Sequence, residues 1–263
     1  MEKKVEEALL KAVGKVKSNK IGIAFSGGID STLLALACRK LGEKFTLYTI
    51  GLQGCDDIEW ATKVAVKMQF PLKIKLISES DAAKTMLGMV NLLKTDDPVH
   101  VGVGCMTHSV CSFAKEDKSK IVLFGLGADE AFAGYGSHMK ALEKDEVQEE
   151  CERRLAGATK DLERDGKIAE EIGIEVALPF LDEELLEVAM KVPAEMKISK
   201  DQKKIVLRKI AVGLGLPEEL AERPKKAAQY GSGFDKAMER LTKKNGYKDK
   251  KEYLASLLID EFS

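Results

Sequence analysis

Ser26-Gly27-Gly28-Ile29-Asp30-Ser31 is the segment of the chain whose residue types are best suited to chemistry. Its glycines can adopt positive φ angles and turn their backbone N–H groups toward an anion. The Ser26 and Ser31 hydroxyls can donate hydrogen bonds, and the Asp30 carboxylate is a ligand that Mg²⁺ takes together with substrate phosphates. The segment therefore predicts a loop that binds a pyrophosphate and its metal.

An apolar run precedes this segment, and a helical pattern follows it. Residues 21–25 indicate a buried strand, and the apolar spacing from Leu33 to Leu41 indicates a helix that begins near Ile29. The positive end of that helix dipole would add to the attraction for an anion. A plain glycine turn is the alternative, since neither a Walker loop nor a three-glycine dinucleotide motif occurs in the chain.

The first half of the chain alternates strand and helix patterns. Further strands are predicted at 45–50, 72–77 and 121–124, with helices at 2–17 and 57–70. This alternation predicts an α/β fold, a doubly wound parallel sheet with helices on both faces. Ligands of such sheets bind beyond the carboxyl ends of the strands. The loop at Ser26 and the glycine turn at Gly125 should therefore face each other across one crevice.

The pattern changes near residue 137, after which helices dominate. We expect a nucleotide-binding core over 1–136 and a mainly helical extension over 137–263, both within one continuous domain. Pro224 and the glycines at 231 and 233 predict a loop or lid over 223–233. Helices are predicted at 145–164, 182–191, 200–213, 233–243 and 248–262.

The composition argues against several functional classes. The 42 basic and 43 acidic residues give a formal net charge of −1, which disfavours bulk electrostatic binding to nucleic acid or to an anionic membrane. No apolar run approaches the roughly 18 residues of a membrane span, and the charged N-terminal pattern is unlike a signal peptide. We therefore expect a cytoplasmic protein whose five cysteines stay reduced. Lysine supplies 35 of the basic residues, which is typical of thermophile proteins.

SGGIDS resembles the pyrophosphate-loop signature of the N-type ATP pyrophosphatases. These enzymes cleave ATP between the α and β phosphates and activate a substrate as its adenylate. Over nearly its whole length, the chain resembles the synthetase domain of asparagine synthetases. The segments that carry this resemblance are TIGLQGCDDI (49–58), GLGADEAFAGY (125–135), LPFLD (178–182), KIVLR (204–208) and RPK (223–225) followed by Gly231 and Gly233.

The resemblance implies ATP and Mg²⁺ as cofactors and assigns a role to each matching residue. Lys204 would stabilise the negative charge that develops in adenylation or acyl transfer, and Asp129 and Glu130 would be further catalytic residues. Asp30 and Asp129 would hold Mg²⁺. Judged without the resemblance, Asp129 and Glu130 are equally typical of helix caps, and Lys204 of a solvated lysine. Contacts to ATP and pyrophosphate would come from Phe25, Ser26, Gly27, Gly28, Asp30, Ser31, Ile50, Gly125 and Lys225.

The chain departs from the family pattern in ways that concern the acceptor side. Leu126 stands where asparagine synthetases carry a glutamate, and Gly102 stands where they carry an arginine. The segment 227–229 lacks the family's glutamine and serine pattern. Residue 2 is Glu, whereas the glutaminase domain of the family begins with a cysteine nucleophile. The ATP machinery is therefore expected to be kept, while aspartate is in doubt as the substrate.

The partners expected from this comparison are a small-molecule carboxylate and either ammonia or an amine. A separate glutaminase subunit is a further source of nitrogen, and a homodimer is one of the oligomeric states left open. Cys105, His108 and Cys111 follow one another at intervals of three, which favours a partly buried helix edge over a metal site. The alternatives are an ATP pyrophosphatase of tRNA thiolation that uses these cysteines, and a nucleotide-binding subunit without turnover.

Overall fold

The computed structural model describes residues 1–223 and 227–258 of the chain. Within these residues, five strands form one sheet in the order β3-β2-β1-β4-β5, and every neighbouring pair is parallel. The strands are β1 (Ile21–Ala24), β2 (Phe45–Gly51), β3 (Leu72–Leu76), β4 (Ile121–Leu123) and β5 (Glu175–Ala177). The chain builds outward from β1 to β3 and then returns to the other side of β1. The predicted doubly wound fold is confirmed, and the point of reversal lies between β1 and β4.

Helices surround this sheet and account for most of the rest of the described chain. They are α1 (Glu2–Gly14), α2 (Ile29–Lys40), α3 (Asp56–Met68), α4 (Glu79–Leu93), α5 (Pro98–Glu116), α6 (Ala128–Ala131), α7 (Gly136–Leu142), α8 (Val147–Gly157), α9 (Thr159–Ile172), α10 (Glu183–Met190), α11 (Ala194–Lys197), α12 (Ile205–Gly213), α13 (Glu218–Ala221), α14 (Ala228–Gly231), α15 (Phe234–Lys244) and α16 (Lys250–Ala255). A short 3₁₀ helix covers Pro179–Leu181. Among the described residues, no helix combines the length and the apolar character needed to cross a membrane.

The two faces of the sheet each support an apolar core, because side chains alternate along a strand. Ile121 and Leu123 of β4 pack in one core, which includes side chains of α1, α2, α3 and α12. Val122 packs in the other, which includes side chains of α4, α5 and α15. Helices therefore cover both faces, and the carboxyl ends of the strands are left for the loops that build the site.

Several predicted boundaries are wrong. The helix expected over 200–213 begins only at Ile205, because Lys204 has a left-handed backbone with φ 57° and cannot continue a helix. The helix expected over 145–164 is two helices, α8 and α9, separated at Ala158. Strand β5 was missed, and α16 ends at Ala255, with residues 259–263 outside the described part of the chain.

Candidate active site

A cavity of about 350 Å³ opens beyond the carboxyl ends of β1 and β4. The loop after β1 and the glycine turn after β4 line opposite sides of it, as the sequence predicted. The two sides approach closely, since a Cβ atom at Gly125 would lie 2.9 Å from Asp30 Cβ. The cavity therefore gathers residues from elements that are far apart in the chain.

The turn after β1 depends on one glycine conformation. Gly27 has φ 74°, and a Cβ atom there would lie 2.7 Å from the backbone carbon of Trp60 in α3. Gly28 has φ −74° and ψ 164°, which is ordinary extended backbone, and it caps the N-terminus of α2. Of the two glycines that can adopt a positive φ angle, only Gly27 therefore does so, and the helix begins at Ile29 as expected.

The two serines of the loop shape its backbone. The Gly28 N–H donates to Ser26 Oγ at 3.2 Å, and Ser31 Oγ donates to the Gly28 carbonyl at 3.2 Å. The Ser26 N–H also faces Ser31 Oγ at 3.4 Å. The Ser31 hydroxyl therefore donates its hydrogen bond within the loop. The Ser26 hydroxyl only accepts within the loop, so its proton can be donated to a ligand.

Lys204 lies between the two predicted metal ligands. Its Nζ atom is 2.6 Å from Asp30 Oδ2 and 2.6 Å from Asp129 Oδ1, and its side chain is 2% exposed. A Cβ atom at Gly134 would lie 2.5 Å from Lys204 Cε, so this arrangement needs the glycine. Burial disfavours the charged form, but attraction to Asp129 and Asp30 outweighs burial and raises the pKa of Lys204. The site therefore holds a permanent cation between two carboxylates.

Glu130 has a clear structural role. Its Oε2 atom accepts from the Gly127 N–H at 3.0 Å, which caps the start of α6, and its Oε1 accepts from the Tyr135 hydroxyl. Burial raises the pKa of Glu130, and the Tyr135 hydrogen bond opposes that rise. The helix-cap interpretation thus holds for Glu130, which also lines the cavity.

Phe25 and Ile50 line the cavity at the ends of β1 and β2. The Phe25 N–H donates to the Tyr48 carbonyl at 2.9 Å, and its carbonyl accepts from Thr49 Oγ1 at 2.6 Å. Because the backbone of Phe25 is already used in this way, its ring is the part best placed to meet a ligand.

An ion pair that the sequence analysis missed connects the 223–233 segment to the loop after β1. Arg223 Nη2 donates to Asp57 Oδ1 at 2.7 Å, while Nη1 donates to the Ser26 carbonyl. The Arg223 guanidinium also lies over the Trp60 ring, 5.6 Å from its centroid. The resemblance of RPK (223–225) to a family motif was the one sequence feature that pointed to Arg223, but that resemblance assigned no role to the arginine. Lys225, predicted to approach the pyrophosphate, lies outside the described residues.

The segment with Cys105, His108 and Cys111 is the buried side of α5. Burial raises the pKa of the Cys111 thiol to about 12, and burial also raises that of Cys105. Thiols held in the neutral form are poor nucleophiles and poor metal ligands. Among the described residues, no group of three or more His, Cys, Asp or Glu side chains is arranged to hold a metal.

The donor set at Asp30 and Asp129 fits Mg²⁺ rather than a softer metal. Both ligands are carboxylates, they lie in the first turns of the helices that follow neighbouring strands β1 and β4, and they already share one cation through Lys204. Mg²⁺ is bound in proteins by one or two carboxylates and completes its shell with water and substrate phosphates. Two carboxylates facing a cavity are sufficient for such a site.

Comparison with known proteins gives the family. The model of the family described as "Asparagine synthase" matches residues 4–158 and 140–260. The chain is 31% identical to a protein of Methanocaldococcus jannaschii that carries the provisional name glutamine-hydrolyzing asparagine synthetase 1, a match that covers 100% of this chain and 55% of that protein. It is 30% identical to glutamine-hydrolyzing asparagine synthetase 2 of Lotus japonicus over 87% of this chain and 42% of that protein.

The chain spans about half the length of these curated relatives. Among solved structures, the NMN synthetase of Francisella tularensis aligns with 99% of this chain and 87% of its own, at 14% identity and a TM-score of 0.49.

Proposed function

Because the chain belongs to the asparagine synthase family, we propose that it is an AMP-forming ligase. It adenylates a carboxylate with ATP, releases pyrophosphate, and passes the acyl group to ammonia or an amine. The observation that carries this proposal is the convergence of Asp30, Asp129 and Lys204 at the floor of the cavity, with both carboxylates 2.6 Å from Lys204 Nζ. Aspartate as the acid and magnesium as the metal are finer parts of the same proposal.

The loop after β1 binds the phosphates. Gly27 gives the turn its shape, the N-terminus of α2 supplies backbone N–H groups and a positive dipole end, and Ser26 has a hydroxyl proton to donate. Ile50, Gly125 and the Phe25 ring lie beside the nucleotide. Lys225 is proposed to reach the pyrophosphate from the segment that Arg223 anchors.

Asp30 and Asp129 hold Mg²⁺, which supplies charge neutralisation to the leaving pyrophosphate. Lys204 stays protonated through the reaction because its pKa is raised, so it acts by electrostatic stabilisation and not as a base. A fixed cation in a site closed to water stabilises developing negative charge more strongly than one in bulk water. Leu126 cannot exchange a proton, so it cannot replace the glutamate that asparagine synthetases carry at this position.

The nitrogen comes from free ammonia, from an amine, or from a separate glutaminase subunit. Each of these supplies a nitrogen nucleophile that adds to the planar acyl carbon of the adenylate, after which the C–O bond to AMP breaks and AMP leaves. Sulfur transfer of the kind used in tRNA thiolation is less well supported, because Cys105 and Cys111 are both 0% exposed and held as neutral thiols.

The experiment is ATP–pyrophosphate exchange across a panel of carboxylic acids. At least one acid should stimulate exchange, and Asp129→Asn should abolish it, whereas the exposed Asp201→Asn on the neighbouring loop should leave it unchanged. Exchange that is independent of acid, or equal in Asp129→Asn and the parent protein, would overturn the proposal.

A further inference from the structure

The cavity continues beyond the phosphate loop along a surface that the reaction above does not use. We call it the α5–α9 wall; it consists of Val103, Met106 and Val110 of α5 and Asp161, Arg164 and Asp165 of α9. The two helices pack directly on each other, and a Cβ atom at Gly104 would lie 3.7 Å from Arg164 Cδ. The wall therefore has an apolar half and a charged half within one cavity.

The apolar half follows from helical spacing. Residues 103, 106 and 110 lie at intervals of three and four, so they share one face of α5 and turn it toward the cavity. Leu126 adds a further apolar side chain where the family carries a glutamate. A ligand that covers this surface needs an apolar chain, because a polar one would lose its hydration without gaining hydrogen bonds.

The charged half carries a net negative charge. Arg164 Nε and Nη2 donate to the two oxygens of Asp165 at 2.9 and 3.1 Å, and Nη1 donates to Asp161 Oδ1. Thr107 Oγ1 also donates to Asp165 at 3.0 Å. One guanidinium thus faces two carboxylates, and among the described wall residues it is the only cation. A second anion placed here would meet an uncompensated negative charge.

Two side chains that line the cavity each have one acceptor oxygen without a donor among the described residues. Asp161 has a side chain that is 38% exposed, and its Oδ2 atom has no hydrogen-bond partner among the described residues. Gln229 of α14 lines the same cavity and is 4% exposed, yet its Oε1 atom has no partner there. Gln229 fills the space beside Gly102, where a Cβ atom would lie 3.0 Å from Gln229 Cβ. Two unused acceptors and a net negative charge call for a positively charged N–H donor.

We propose that the α5–α9 wall binds a protonated amine carried on an apolar chain, with Asp161 and Gln229 as its acceptors. This inference rests on the proposed function, because the wall lines the same cavity as the residues that are proposed to form the adenylate. The ammonium group belongs either to the acid that is adenylated or to the incoming nucleophile, where it is a second group distinct from the neutral nitrogen that attacks the acyl carbon. In both cases the wall selects against a short dicarboxylate such as aspartate.

The test compares three acids of equal chain length, 6-aminohexanoate, hexanoate and adipate, in ATP–pyrophosphate exchange. Isothermal titration with hexylamine and with hexanol forms a second arm, which does not depend on turnover. Asp161→Asn removes the charge at the wall, and Glu163→Gln makes the same change on the exposed side of the same helix. Gln229→Leu removes the second acceptor.

We expect 6-aminohexanoate to lead the acids if the amine belongs to the acid, and hexylamine to bind more tightly than hexanol if it belongs to the nucleophile. Asp161→Asn should weaken the favoured probe about tenfold, which corresponds to about 1.4 kcal/mol, and Glu163→Gln should not. If hexylamine binds in a way that depends on Asp161 but no acid stimulates ATP–pyrophosphate exchange, the result would support the proposed amine site and contradict the proposed ligase activity. The proposed amine site would be overturned if adipate gave the fastest exchange, or if neither 6-aminohexanoate nor hexylamine were preferred over its uncharged counterpart. The proposed ligase activity would not be affected by that result.

Discussion

Asp30 Oδ2 and Lys204 Nζ lie 2.6 Å apart although 174 residues separate them in the chain. Asp30 lies in the first turn of α2, directly after the phosphate loop, and Lys204 precedes α12 in a left-handed conformation, with its side chain buried. The contact therefore joins the two halves of the chain at the point where the reaction is proposed to occur. The charge of Lys204 is both a structural link and the proposed stabiliser of the transition state.

Lys204→Met should reduce the rate of adenylation by about 10²- to 10³-fold, the typical effect of removing one electrostatic donor from an active site. It should also destabilise the fold, because Asp30 and Asp129 then face each other without a cation. The matched control is Lys200→Met, which removes an exposed lysine from the preceding loop. A rate that stays within about threefold of the parent protein would contradict the assigned role.

Gly27→Ala should unfold the phosphate loop or prevent ATP binding. A side chain at φ 74° costs about 1–2 kcal/mol, and here its Cβ would also lie 2.7 Å from the Trp60 backbone. Gly42→Ala is the matched control, because Gly42 has φ 72° and has nothing within 4 Å of the added atom. In chemical denaturation, Gly42→Ala should lower the free energy of unfolding by the backbone strain alone, and Gly27→Ala should lower it clearly more. Equal losses in both variants would show that the close approach to α3 has no cost.

The buried pair Arg223–Asp57 should behave as a coupled unit. Asp57→Asn or Arg223→Met alone leaves one partner buried without compensation, and we expect each to cost about 3–5 kcal/mol of folding free energy. The double variant should cost much less than the sum, and all three should bind ATP more weakly because Arg223 holds the Ser26 carbonyl. Urea titration of the four proteins measures the coupling, and additive losses would contradict it.

His138 should make the fold sensitive to mild acid. It is fully buried, its Nδ1 accepts from the Tyr135 N–H at 3.2 Å, and burial lowers its pKa from 6.5 to about 4. Since the unfolded state binds this proton at higher pH, stability is lost as pH falls from 6.5 toward 4.

Linkage predicts a loss of about 2 kcal/mol between pH 7.5 and pH 5 from this one group. His138→Asn should remove that part of the pH dependence while keeping an acceptor for the Tyr135 N–H. His100→Gln on α5 is the comparison: burial also lowers the pKa of His100, but by less, so this variant should remove a smaller part of the acid slope. An unchanged acid slope in His138→Asn would contradict the lowered pKa.

The strands and the phosphate loop could be predicted because their signals are local. Residues 21–24 are apolar and end at a glycine turn, and the helical spacing after Ile29 is regular. The facing position of Gly125 followed from the general geometry of parallel sheets. Strand β5 could not be found this way, because Glu175–Ala177 is three residues long and has no clear alternation.

The charged interior of the site could not be predicted from the sequence pattern. Lys204 stands among other lysines, and its burial depends on a left-handed backbone and on the space left by Gly134, neither of which has a local signal. Arg164 lies in a strongly charged helix that looks solvated. It is buried because Gly104 leaves room for its stem on α5.

The most direct test of the account follows the α-phosphate of ATP. With ATP labelled at that phosphate, an acid that supports exchange and ammonia as the nucleophile, the labelled product should be AMP in equal amount to the pyrophosphate formed. Labelled ADP, or AMP that forms at the same rate without the acid, would contradict the proposal that Asp30, Asp129 and Lys204 assemble an AMP-forming ligase.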